Sequence, residues 1–404
     1  MEQHDEINEM LMISNENAFE INEVNNEEEE DLATDKLKHI DEMAISGTDW
    51  TSETIVNQMD KGNIILDPDF QRRDAWTDIK KSRFIESLIL GLPIPQIILA
   101  ENKENKGTFI VIDGKQRLLS LLRFMGSPEN GGSDLRLKGM DVRKDLNGKT
   151  YKEMQEEGLN SDIRSLTNQT IRTVVIKNWP SIEVLYLIFL RLNTESVRLS
   201  PQELRQALHP GEFIQYANEQ APKSEAINVL LNNKNGTPDF RMRDVEIFIR
   251  YIAFQFFAKE YNGSMQSFLD NTCIQMNKKW DEYKVEVIHR VNEMEKATDF
   301  VHDIFGKNAF CKYKTDRYES KPNRAVMDVM LYYFADEKIR DKSIEKKQEI
   351  KNAFEKICKE DEQFLDAIQQ TTKSMSSVGY RFTKWAEVLS EILDVQINSP
   401  VGER

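Results

Sequence analysis

The stretch Thr108–Met125, TFIVIDGKQRLLSLLRFM, decides the reading of this chain. Phe109, Ile110, Val111 and Ile112 form an apolar, largely β-branched run of strand length. Leu118, Leu121, Leu122 and Met125 then recur at helical spacing. Between strand and helix stand Asp113, Gly114, Lys115, Gln116 and Arg117. A helix that starts straight after a strand points its first N–H groups and the positive end of its dipole at whatever lies beyond the turn, and both favour an anion. Gly114 permits a tight turn and close approach of a phosphate. Lys115 and Arg117 add charge and donors. Asp113 brings a carboxylate able to hold magnesium or orient a water. The spacing predicts a phosphate cradle.

Upstream, Ser52 is read as the cap of a short helix running to Met59, ended by Gly62. Ile64–Leu66 reads as a short strand, followed by the polar run Asp67–Arg73. Thr77 caps a helix, DIKKSRFIESLIL, with Ile79, Phe84, Ile85, Leu88 and Ile89 at helical spacing. Pro93 and Pro95 stiffen a connector into a second strand, Gln96–Ala100, and a polar turn, Glu101–Gly107, leads back to the central strand. By charge and hydrogen-bonding capacity, Arg72 and Arg73 are candidate phosphate ligands, and Gln71 can orient a water or contact a sugar.

The run PDFQRRDAW, IESLILGLPIPQIIL, FIVIDGKQRLLSLLRF resembles the N-terminal domain of the GmrSD-type restriction enzymes, part of the ParB-like nuclease superfamily that includes sulfiredoxin-like folds. The signatures are a Phe-Gln-Arg element, a Leu-Pro-x-Pro connector and a DGQQR box, here in order, with Lys115 where glutamine is usual. A second signature of that family matches FLRLNT and LSPQELR, residues 189–194 and 199–205. The resemblance implies a ParB/sulfiredoxin-like mixed sheet, nucleotide binding, hydrolysis of the triphosphate, and Gly114–Arg117 as the turn that holds the phosphates. Within the second signature, Ser200, Pro201 and Glu203 spell a helix start with a capping box. Arg191 and Asn193 are candidates to face the nucleotide, although Asn193 also suits a helix cap.

Residues 126–170 carry little pattern, with a flexible loop at GSPENGGSD. Ile171–Lys177 reads as a strand of the same sheet, and Ser181–Leu192 as a helix. From Pro210 to Leu393 the sequence reads as helix after helix, among them the long amphipathic run RMRDVEIFIRYIAFQFF, residues 241–257, and a last helix, Arg381–Leu393.

The formal net charge is −15. Residues 1–35 hold thirteen acidic residues and no lysine or arginine, so the remaining chain carries about −2 and can form local basic grooves. That arm reads as disordered and solubilising, or as a DNA-like acidic segment able to sit in the protein's own basic groove. Cys273, Cys311 and Cys358 form no CxxC pair, which argues against a zinc site or disulfide scaffold and fits a reduced compartment. None of the five histidines, His4, His39, His209, His289 and His302, stands in a His-metal nuclease context. No GxSxG turn or Walker box occurs. With no leader or membrane-length apolar run, a cytoplasmic protein is expected.

These readings combine into an α+β chain. An acidic arm spans 1–45, a ParB-like nucleotide-binding domain 46–205 and an all-helical domain 206–404, with the cleft expected between the last two. The expected function is a nucleoside triphosphate-binding and hydrolysing module of a bacterial anti-phage, restriction-type system that acts with a separate effector. Asp113, Gln71 and Arg117 are the catalytic candidates. Arg72, Arg73, Gly114, Lys115, Gln116, Arg117, Arg191 and Asn193 are the nucleotide-binding candidates, with Mg2+ as cofactor. The alternative is a ParB-like DNA-binding protein or nuclease that uses the same basic cleft on phosphodiester.

Overall fold

A computed structural model describes residues 43–401, apart from 66–75, 104, 133, 182–183, 186–187, 189–190, 192–199, 232, 234–236, 240 and 370–371. The chain forms two compact units, one reaching to Leu208 and the other running on from His209. The architecture is α+β.

The first unit is built on a five-stranded mixed sheet. Its strands are β1 (Ala44–Thr51), β2 (Ile64–Ile65), β3 (Ile97–Glu101), β4 (Phe109–Asp113) and β5 (Thr170–Lys177), in the spatial order β1-β5-β3-β4-β2. β1 pairs antiparallel with β5, and β3 antiparallel with β4. β3 with β5 and β2 with β4 are parallel. Pairing between β3 and β4 slips between Ile98 and Leu99: Ile98 faces Asp113 and Leu99 faces Val111. Ile112 is thus the extra residue of a bulge just before Gly114, a device that re-aims the end of a strand.

The inner strands read as continuous apolar runs because both sheet faces are covered. Ile97, Leu99 and Val111 join one core with residues of α1 (Ser52–Asp60), α2 (Asp78–Ile89), α3 (Lys115–Met125), α4 (Tyr151–Glu156) and α5 (Asn160–Asn168). Ile98, Ala100, Ile110 and Ile112 join the other with Leu185, Leu204 and Ala207. The last two lie on α6 (Pro201–Leu208). Thr51 rather than Ser52 caps α1, accepting Thr54 N–H at 3.1 Å. Thr77 caps α2 as expected.

The weakly patterned stretch 126–170 holds α4 and α5, the first opened by a Thr150–Glu153 capping box. Its loop is fastened to α2 by Glu86, whose carboxylate accepts the backbone N–H groups of Asp141, Val142 and Arg143 at 3.1, 2.9 and 2.6 Å. β1 was not expected. It begins at Ala44, inside the span 1–45 assigned to the acidic arm; the rest of that arm lies outside the described residues.

The second unit is helical: α7 (Glu212–Gln220), α8 (Glu225–Leu230), α9 (Arg243–Phe257), α10 (Met265–Lys278), α11 (Trp280–Phe305), α12 (Arg324–Phe334), α13 (Glu337–Ser343), α14 (Lys347–Glu360), α15 (Glu362–Gln369) and α16 (Met375–Leu393). The expectation of an all-helical domain needs correcting. β6 (Cys311–Lys314) and β7 (Arg317–Pro322) form an antiparallel hairpin after α11. Its turn residues Thr315 and Asp316 both have positive φ, 53° and 60°, which suits a tight two-residue turn. Tyr313 and Tyr318 pack edge to face across the ribbon at 5.0 Å. At the centre of the unit, Asp328 on α12 takes Arg250 of α9 bidentately, both bonds at 2.8 Å, and Arg381 of α16 at 2.9 Å. Among the described residues, no helix is long and apolar enough to cross a membrane.

Candidate functional site

β4 ends at Asp113, and the backbone turns at once into α3. Gly114 makes this possible: it is the N-cap of α3 at φ +100°, in the left-handed region where a side chain is strained. Space for a side chain is tight as well. A Cβ on Gly114 would lie 3.1 Å from Ile97 Cγ1 and 3.4 Å from Arg117 Nε and Nη2. The turn is therefore roofed by the Arg117 guanidinium.

Arg117 Nη2 donates to Asp113 Oδ2 at 2.7 Å. The Arg117 side chain is 10% exposed and that of Asp113 27%, so the acid faces solvent more than the base does. Lys115, the first residue of α3, is buried and donates its ammonium to Glu203 Oε1. Gln116 turns its side-chain oxygen to the backbone N–H of Trp76, 3.2 Å away. Trp76 is held from its other side as well, its carbonyl accepting Lys81 Nζ at 2.6 Å. Its ring packs edge to face on Phe84 at 6.0 Å.

The predicted box Asp113–Arg117 thus stands where strand passes to helix. Arg191 is helical and exposed. Gln71, Arg72, Arg73 and Asn193 lie outside the described residues. Glu203 enters the site although the sequence suggested only a cap for it. It does serve as that cap: Ser200 N–H donates to Glu203 Oε2 at 2.6 Å, and Glu203 N–H to Ser200 Oγ at 3.2 Å. The capping box was the available signal, while the bond to Lys115, 88 positions away, left no local trace.

A helix start with a guanidinium and a carboxylate beside it suits an anion and its counter-cation. The model of the GmrSD restriction endonuclease, N-terminal domain, matches residues 52–210. This segment is similar to a GmrSD N-terminal domain. Its span runs from α1 past α6, so the Asp113–Arg117 box and Glu203 both fall inside the GmrSD match, and β1 precedes it. The family that the model describes is one of restriction endonucleases, and the likeness to it covers the sheet unit from α1 onward. No curated protein and no solved structure matches the chain.

Proposed function

We propose that the chain is a nucleoside triphosphate-binding and hydrolysing module of a bacterial anti-phage restriction system, acting with a separate effector, and that its sheet domain is ParB/sulfiredoxin-like. The triphosphate docks at the Gly114 turn, with Arg117 on the phosphates and Arg72, Arg73, Arg191 and Asn193 completing the site.

One observation carries this reading. The described residues that flank Gln71, Arg72 and Arg73 are Ile65 at the end of β2 and Trp76. β2 runs parallel to β4 with Ile65 opposite Ile110, so both strands point toward the same end of the sheet. At Trp76, three residues after Arg73, the backbone is bonded to Gln116 on the first turn of α3. The chain just after Arg73 is thus tied to the first turn of α3, and we infer that Arg72 and Arg73 join Arg117 around a polyphosphate there.

We infer magnesium as the counter-ion at this site. Arg117 holds Asp113 Oδ2, so Oδ1 is the atom that Asp113 would offer the ion. Among the described residues no cluster of three acidic, histidine or cysteine side chains could hold a metal. A single carboxylate suits magnesium bound mainly by phosphate oxygens and water. There the ion would neutralise charge on the phosphates, while Arg117 donates to the oxygens that gain charge in phosphoryl transfer and Gln71 aligns a water.

A thermal-shift panel with ATP, GTP, CTP and UTP, each with and without magnesium, tests the proposal. A ligand bound only by the folded form raises the melting point. The expected result is a magnesium-dependent rise with at least one nucleotide. Flat curves throughout, with DNA binding that falls steeply with salt, would replace this reading by the phosphodiester one.

A further inference from the structure

Glu203 divides its carboxylate between two elements. Oε1 accepts the Lys115 ammonium, while Oε2 accepts the Ser200 N–H at 2.6 Å. One side chain therefore ties the first residue of α3 to the start of α6. Both partners of the ion pair are only 5% exposed.

A lysine at the first position of a helix lies against the positive end of the dipole, so Lys115 gains from a nearby anion. Glu203, at the third position of α6, is by contrast well placed for the dipole of its own helix. Breaking a buried pair without replacing the lost partner is strongly unfavourable, so an anion that draws the ammonium away must take over the role of Glu203.

We propose that Glu203 is a built-in counter-anion that the triphosphate displaces, so that binding at the Gly114 turn loosens the cap of α6. The inference rests on the nucleotide reading above and adds to it a positioning residue and a response. Phosphate charge arriving beside α3 attracts the Lys115 ammonium and repels the Glu203 carboxylate, so both forces act to part the pair. Because the same carboxylate holds Ser200, the parting is felt at the first turn of α6.

Hydrogen exchange at the Ser200 and Glu203 amides of the full chain tests this, with non-hydrolysable ATP and GTP analogues plus magnesium as probes and thermal shift reporting binding. The expected result is a raised melting point together with about fivefold faster exchange at these two amides, the loss of one cap. E203Q keeps an acceptor for Ser200 but removes the charge that Glu203 offers Lys115, so it should bind the analogue about tenfold tighter than wild type. A raised melting point with exchange unchanged or slower overturns the proposal and leaves the nucleotide reading standing, as does E203Q binding no tighter. No shift with either analogue removes the nucleotide reading, and this inference with it.

Discussion

Arg117 reaches back over Gly114 and donates to Asp113, Nη2 to Oδ2 at 2.7 Å. The pair is spaced i,i+4, with its acid partly open to water and its guanidinium buried. Replacing Arg117 by alanine should lower stability by about 1–3 kcal/mol, packing included, while weakening nucleotide binding by about tenfold or more. R117K, which keeps the charge and loses the planar fork, should fall between. Titration with a fluorescent nucleotide beside a urea melt separates the two effects. Normal nucleotide affinity in R117A would remove Arg117 from the site.

Gly114 is the position where a single methyl should matter most. Alanine there meets both a left-handed backbone and the 3.1 Å approach of Ile97. G114A is expected to cost about 1–3 kcal/mol and to push the Arg117 guanidinium off Asp113. Chemical denaturation gives the cost. A stability equal to wild type would mean that the turn relaxes without it.

Glu86 supplies a pH signature. Burial pushes its carboxyl pKa up, but the N–H groups of Arg143, Val142 and Asp141 outweigh that and hold it below the ordinary value of 4.5. A depressed carboxyl contributes stability that is fully present above the ordinary value and is lost as pH falls through the lower, folded one. E86Q should therefore be less stable than wild type at pH 7, by about 2 kcal/mol. The gap should close as the pH drops below 4.5. Melting curves of both proteins across that range check the sign, and a gap that widens in acid contradicts it.

Asp328 neutralises two buried arginines at once. D328N removes the carboxylate charge that Arg250 and Arg381 share and should destabilise the helical unit by about 3–5 kcal/mol. Hydrogen exchange localises the effect: amides of α9 and α12 should exchange faster, while those of β3 and β4 in the sheet unit keep their protection. Equal loss in both units would indicate that they unfold together.

The strand-to-helix corner was legible because three signals follow one another between Phe109 and Met125: a β-branched run, a glycine and a helical repeat. The α6 start was legible through its capping box, Ser200 to Glu203. β1 was not, because its first six residues are exposed and show no alternation of burial. It is ordered by its ladder to β5, from Ala44 opposite Lys177 to Thr51 opposite Thr170, and a ladder partner 119 or more positions away leaves no local pattern. The β6–β7 turn lacked the usual Asn-Gly signal, since Thr315 and Asp316 take positive φ without a glycine. α4 could have been found from Thr150 and Glu153, which stand at capping-box spacing. Helix α16 begins at Met375 rather than Arg381, its serine-rich first turn capped by Ser374. The Lys115–Glu203 bond was beyond reach for the reason that hides most tertiary pairs: neither residue's neighbours specify the other.

An apolar pattern fixes strand register when one face must be buried and the other wetted. β3 and β4 are wrapped on both sides, so their side chains say little about how far one should slide along the other. That setting passes to the loop that joins them, where Asn102 N–H is bonded to Thr108 O at 2.9 Å and Asn105 N–H to Asn102 Oδ1 at 3.3 Å. The loop acts as a ruler: it lies at the far end of the hairpin from Gly114, yet its length decides where Asp113 comes to rest. Surface loops are usually the safest places to edit a protein. In this chain, deleting one residue between Asn102 and Thr108 would move the acid that faces Arg117 without touching either of them.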